Sequence, residues 1–227
     1  MKNIILQHYD GELGEIETLS IENIKNYAKK IDVEYHLIRG NPFRPHLTAP
    51  CQKVYMLDEE WDDYDDVLML DIDMFTPKEL SENVFQATGI GLYSDTQKWL
   101  HGKIVRSNPT IASSNAPYWG GAIYKLDRNM RKKFRKQLGD NESWMLNFNK
   151  KWTFEDEGIM HVLAYRAGIT MKDSNLFLDN KWCQDSYLPN PEKAGFIHVR
   201  TKIKPNGPEK KKIENLRTLQ EAGIVER

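Results

Sequence analysis

Residues 67–76 read VLMLDIDMFT. Apolar residues at 67–70 run straight into Asp71, a single isoleucine separates it from Asp73, and a short apolar step follows. A run with no polar alternation is expected of a strand covered on both faces, as at the centre of a parallel sheet. Two carboxylates so close together repel each other and resist desolvation unless a cation or a set of donors compensates them. In an open α/β sheet, ligands bind beyond the carboxyl ends of the strands. Alternate strand residues share a face, so Asp71 and Asp73 can converge on one point as the chain turns out. Carboxylate oxygens there suit Mg²⁺ or Mn²⁺. The same triplet also arises by chance, with Asp simply capping the turn that follows. Asp62, Asp63, Asp65 and Asp66 just upstream read as a solvated loop.

The flanking segments fit such a sheet. NIILQHY (3–9) and VEYHLI (33–38) read as strands, and between them Ile16, Leu19, Ile24, Tyr27, Ala28 and Ile31 fall at helical spacing. This β-α-β start implies parallel pairing. NPFRPHLTAP (41–50) is a loop because of its three prolines. CQKVYMLDEEW (51–61) reads as a short helix, and GIGLYS (89–94) and GGAIYKL (120–126) as strands. Asp127 can cap a helix running to about Leu138, and a helix over about 156–167 stops at Gly168. GFIHV (195–199) is the last strand. The expected fold is one α/β domain over 1–205, with a Rossmann-like, mainly parallel mixed sheet flanked by helices. A helical extension follows over 206–227, with Ile213, Leu216 and Leu219 on one stripe. That stripe is expected to pack on its own domain; the alternative is contact of the Lys210–Lys212 cluster with a partner or an anionic membrane.

Composition narrows the function classes. The chain has 227 residues, with 32 Lys and Arg against 33 Asp and Glu, a net charge of -1. Such a balance does not support non-specific nucleic-acid binding. Cys51 and Cys183 have neither metal-site spacing nor a disulfide framework, and read as reduced thiols. The N-terminus does not resemble a signal peptide, and no apolar stretch approaches the ~20 residues of a transmembrane helix. A soluble, cytoplasmic protein is expected.

Three further stretches bear on chemistry. WGGAIYKL (119–126) places Gly120 and Gly121 at a strand start, where glycine admits a ligand close to the backbone or marks a bulge. TFEDEGIM (153–160) gathers Glu155, Asp156 and Glu157 at a helix start, which the helix dipole favours in any case. HVRTKIKP (198–205) offers His198 as a nitrogen ligand, or as an ordinary hydrogen-bonded strand-end histidine, and Lys204 as a phosphate contact.

In this order the four stretches resemble the GT-A glycosyltransferases, and within them family 8, the glycogenin and bacterial galactosyltransferase family. Trp119-Gly120-Gly121 stands where that family usually has Asn-Ser-Gly, and Glu155-Asp156-Glu157 where it usually has Asp-Gln-Asp. The resemblance implies metal-dependent transfer of a sugar from a nucleoside-diphosphate sugar, UDP favoured, to a hydroxyl, most naturally on a glycan. It implies Mn²⁺ or Mg²⁺ on Asp71, Asp73 and His198, with Asp73 a direct ligand, and Lys204 on the phosphates. Base and ribose would lie near Gln7, His8, Tyr9 and Asp10, Tyr9 being equally readable as a core-edge residue. Lys53 is a weaker diphosphate candidate, otherwise a solvated helix lysine. Gly120 and Gly121 would flank the donor sugar or acceptor, while Tyr118, Trp119 and Trp99 stack on sugar faces or fill the core. The 95–118 loop is a candidate acceptor-side lid. Asp156 is the candidate base, with Glu155 and Glu157 as alternates; a base behind the anomeric carbon means inversion. The competing readings are a haloacid dehalogenase-type phosphatase, whose pattern wants Thr or Val where Phe75 stands, and a nucleotide-sugar-binding protein without turnover.

Overall fold

The computed structural model describes residues 1–94, 118–139, 155–169, 174–200 and 211–226. The 67–70 run forms the middle of a five-stranded sheet of order β2-β1-β3-β6-β5. Its strands are β1 (Asn3–Tyr9), β2 (Glu34–Arg39), β3 (Asp66–Leu70), β5 (Gly91–Ser94) and β6 (Tyr118–Asp127). β1 pairs in parallel with β2 and β3, whereas β6 is antiparallel to both β3 and β5. The sheet is therefore mixed and mainly parallel, with β6 alone running against the rest.

Both faces of the sheet are covered, which is why Val67–Leu70 carries no polar residue. Helix α1 (Glu15–Lys30) crosses from β1 to β2 and packs Ile24, Tyr27 and Ala28 with Ile5, Leu68 and Leu70. On the opposite face, α2 (Arg128–Arg135) and α3 (Glu155–Arg166) contribute Phe134, Ile159, Val162 and Leu163, which pack with Leu6, Val67 and Met69. Asp127 caps α2 by accepting from Met130 N at 2.7 Å. After α3, Gly168 takes a φ of +71°, the left-handed conformation that ends many helices.

Three local expectations change. The 51–61 segment is 3₁₀ rather than α: Ala49–Leu57 and Glu59–Trp61, broken where Asp58 turns extended and accepts from Glu60 N. Asp71 and Asp73 lie on a turn rather than on a strand, because β3 ends at Leu70 and the chain enters β4 (Met74–Phe75) directly. The last strand shrinks to β8 (Ile197–His198), the middle of a small sheet ordered β4-β8-β7 with β7 (Gln184–Asp185).

Helix α4 (Lys212–Glu221) docks on its own domain. Leu216, Leu219 and the following Val225 are buried against Phe75, Ile197 and Val199, with Ile16 and Leu19 of α1 at the edge. The stripe thus covers the strands that flank the acid pair; Lys210 lies outside the described residues. Among the described residues no helix is long and apolar enough to cross a membrane. Truncating Leu216, which is fully buried, to Ala should cost about 2–5 kcal/mol of stability. Urea unfolding followed by circular dichroism measures this; a loss near zero would mean that α4 is not firmly seated.

Candidate functional site

A cavity of about 830 Å³ opens where β1 and β3 end, and Asp71, Asp73 and His198 share one wall of it. The sheet ladders explain their meeting. Asp71 N donates to Ala122 O at 3.0 Å, continuing the β3–β6 pairing past Leu70. Met74 pairs with His198, and Val199 N donates to Asp73 O at 2.9 Å, so β8 is locked beside the turn. His198 Nε2 lies 3.1 Å from Asp73 Oδ1 and 3.7 Å from Asp71 Oδ2. One ligand atom from each of the three residues falls within 4.8 Å of the others. Two carboxylates and an imidazole are a donor set suited to Mn²⁺ or Mg²⁺, leaving further positions for phosphate or water oxygens.

The acid pair is not compensated as a unit. Burial would raise the Asp73 carboxyl, but His198 and Lys212 beside it prevail and hold it well below the ordinary range. Asp71 Oδ1 instead accepts from Lys53 Nζ at 2.7 Å. The sequence reads Lys53 as a weaker diphosphate candidate or a solvated helix lysine. It is buried, and its ammonium also meets Asp156 Oδ2 at 2.7 Å and Gly121 O at 2.8 Å. Those three acceptors fill its donor capacity. Desolvation lowers the affinity of Lys53 for its proton, yet the two carboxylates outweigh this and raise it.

The acids at the start of α3 divide by environment. Asp156 Oδ2 takes a second bond, from Tyr124 Oη at 3.0 Å; burial pushes its carboxyl up against the pull of Lys53. Glu157 Oε1 accepts from Gly121 N at 2.6 Å, while its buried Oε2 has no partner among the described residues. Burial, opposed by that N–H, pushes Glu157 up to about 7. The side chain of Glu155 lies outside the described residues. Gly121 is required sterically: a Cβ there would stand 2.7 Å from Asp156 Oδ2 and 2.8 Å from Glu157 Cγ.

Other expected residues divide between cavity and core. His8, Tyr9, Asp10, Gly120 and Tyr118 line the cavity. Gln7 is fully buried behind it, donating to Ser20 Oγ at 3.1 Å and Asp71 O at 3.0 Å, so it shapes the Asp71 turn instead of facing a ligand. Trp119 is a core residue, edge-on to Tyr124 with ring centroids 5.1 Å apart and in contact with Phe134 and Phe177. Lys204, Trp99 and residues 95–117 of the expected lid lie outside the described residues.

Some site residues were missed. Asp185 and Arg200 line the cavity and pair at 3.4 Å; Arg200 stands two places after His198 in the quoted motif, a signal left unused. Tyr124 lies on the 119–126 strand, which is buried on both faces, so no period singles it out. Lys212 reaches Asp73 across 139 residues, which no local pattern anticipates.

No protein-family model matches the chain, and no curated protein sequence matches it. Solved structures do. A glycosyltransferase involved in glycosylating the major capsid of PBCV-1 superimposes with a TM-score of 0.57 at 12% identity, over 97% of this chain and 100% of the other. The galactosyltransferase LgtC, solved with donor and acceptor sugar analogues, gives 0.56 at 12% identity, over 99% and 96%. The bifunctional glycosyltransferase WbbM gives 0.55 at 14% identity, covering 96% of this chain but 49% of WbbM. At such identities the fold is what is shared: this chain has the GT-A-type fold of these enzymes.

Lys53→Met would leave the buried Asp156 and the partly exposed Asp71 without their cation, and should cost about 3–5 kcal/mol in metal-free denaturant unfolding. Adding Asp156→Asn to it should recover part of the loss. Glu157 gives a pH signature. Its folded value, about 7, lies above the ordinary 4.5, so the native state binds the extra proton between the two. Stability should therefore fall as pH rises from about 4.5 to about 7, by on the order of 3 kcal/mol from this group. Lys53, Asp71 and Arg200 face the same carboxyl and are unchanged in Glu157→Gln. That variant should flatten the slope in urea titrations across this window; an unchanged slope would show that Glu157 does not titrate there.

Proposed function

We propose that this chain is a metal-dependent glycosyltransferase, moving a sugar from a nucleoside-diphosphate sugar, UDP favoured, to a hydroxyl of a glycan or other acceptor. One observation carries the reading: Asp71, Asp73 and His198 converge to within 4.8 Å at the strand-end cavity of a GT-A-type fold. These three residues would hold Mn²⁺ or Mg²⁺. Bound there, the ion supplies Lewis-acid stabilisation to a departing diphosphate. The order of motifs favours a family 8 enzyme. Cys51 and Cys183 are both free thiols, which fits the cytoplasm as the place of action.

The chain's own residues have definite tasks. Lys53 fixes the Asp71 carboxylate through Oδ1 and leaves Oδ2 toward His198. Gln7 holds the Asp71 carbonyl, so the turn keeps its shape. His8, Tyr9 and Asp10 form the ledge for base and ribose. The Gly120–Gly121 backbone lies where a sugar can approach closely, with Tyr118 on the acceptor side, and Lys204 meets the phosphates. Asp156, tied to Lys53 and Tyr124, is a fixed anion facing the positive charge that develops at the anomeric carbon. Glu157, poised near neutrality with Oε2 unpartnered among the described residues, takes the proton of the acceptor hydroxyl.

Product analysis with a panel of nucleotide sugars and Mn²⁺ tests this. The expected outcome is release of the nucleoside diphosphate with sugar transfer or slow hydrolysis. Asp71→Asn and Asp73→Asn should each lower that rate at least about 100-fold, the upper end seen for partners of metal ligands. Phosphate release from phosphomonoesters would instead favour the phosphatase, and nucleotide-sugar binding without any release a binding protein.

A further inference from the structure

The ammonium of Lys212 sits on Asp73 Oδ2, while His198 Nε2 occupies Oδ1 of the same carboxylate. Both oxygens of the most buried acid in the cluster are therefore engaged. Lys212 opens α4, and that helix is clamped to the two strands that border the cluster. Leu216 and Leu219 press on Phe75 of β4 and Ile197 of β8. Asn215 Nδ2 donates to Arg200 O at 2.6 Å, and Lys78 N, beyond β4, donates to Ile224 O at 2.8 Å. The backbone of Lys212 is thus held in place, while its side chain stays 44% exposed against 8% for Asp73. A half-exposed ammonium on a flexible stem forms a weak, replaceable ion pair.

Among the described residues, Lys53 and Arg200, which line the cavity, are committed elsewhere. Lys53 is bound by Asp71, Asp156 and the Gly121 carbonyl. Arg200 is paired with Asp185, which takes no part in the metal set. Lys212 differs: like Lys53 it pairs with a candidate metal ligand, but among the described residues Asp73 is its one carboxylate partner, and its side chain is 44% exposed against 10% for Lys53. When a dication takes Asp73, Lys212 loses that partner and is repelled by the incoming charge. Asp71 and Asp73 are by then neutralised by the dication, so the negative charge of an arriving diphosphate attracts the released ammonium of Lys212.

We propose that Lys212 is an exchangeable counterion, which holds Asp73 before the dication binds and passes to the donor diphosphate afterwards. The proposal rests on the transferase reading above. It makes α4 part of the donor site rather than an appendage, and it couples metal binding to nucleotide binding through one side chain. No covalent step is involved.

Isothermal titration of the whole chain separates the two roles by sign. In the absence of nucleotide, Lys212→Met should bind Mn²⁺ about tenfold more tightly than the wild type, because Asp73 no longer has to be vacated. In saturating Mn²⁺, the same variant should bind UDP about tenfold more weakly, because the released cation is missing. Lys212→Arg keeps the charge and should restore UDP affinity. A merely structural lysine would leave both affinities unchanged or weaken both. Unaltered or weakened Mn²⁺ binding, or unaltered UDP binding, in Lys212→Met overturns the proposal while the wild type still binds both. Failure of the wild type itself to take up any nucleoside diphosphate with Mn²⁺ would overturn the transferase reading, and this proposal with it.

Discussion

A single buried ammonium organises this molecule's working edge. Lys53 touches Asp71, Asp156 and the Gly121 carbonyl, and so ties together the end of β3, the start of α3 and the start of β6. Without it the buried Asp156 carboxylate would be costly, and it would repel the nearby Asp71 carboxylate. With the lysine between them they become a fixed frame. That frame demands a missing side chain at position 121, because a Cβ there would press on both α3 acids. It also demands a Tyr124 hydroxyl aimed at Asp156, and a 3₁₀ segment that delivers Lys53 from beneath the sheet edge.

The reversed strand makes this convergence possible. Had β6 run parallel to β3, its first residues would lie at the far edge of the sheet. Because it is antiparallel, Tyr118–Gly121 start where β3 stops, and Asp71 continues the ladder onto Ala122. The small β4-β8-β7 sheet performs the same service from the other side. Two residue pairs suffice to set His198 against Asp73, and the apolar cluster beneath, with Phe75, Ile197 and Leu216, supplies the stability that so short a sheet lacks.

Much of this was legible in the sequence for a physical reason. Strongly periodic or wholly apolar segments declare themselves, so β1, α1, β2, β3 and the stripe of α4 were readable, as was the Asp71, Asp73 and His198 set. What escaped was whatever depends on partners distant in sequence. A lone lysine in the 49–57 segment gives no sign that its ammonium lies between two acids, so the sequence leaves Lys53 as a diphosphate candidate or a solvated lysine. The resemblance puts Gln7 beside the base and ribose and leaves Trp119 either on a sugar face or in the core; the structure buries Gln7 under the Asp71 turn, and the period of two along β6 turns Trp119 away from the cavity that Tyr118 and Gly120 line. The 3₁₀ winding at 49–57 carries the same apolar content as an α-helix would, and only the packing distinguishes them. Lys212 was named merely as one of a charged cluster, since nothing local connects it with Asp73.

The two carboxylates quoted at the outset end up in different electrostatic regimes. Asp71 belongs to the half with the fixed counterion: its carboxylate is partly exposed, but its lysine is buried and its carbonyl is held by Gln7. Asp73 belongs to the half with the loosely held counterion: its carboxylate is buried, but an imidazole and a half-exposed ammonium share its oxygens. A ligand must trade with the second half, because displacing Lys53 would also release Asp156 and Gly121, whereas displacing Lys212 disturbs only one exposed side chain. The spacing of Asp-x-Asp across a turn therefore serves more than chelation. It puts one acid where it anchors the frame and the other where its counterion can leave, so that a cation can be exchanged without loosening the fold that positions it.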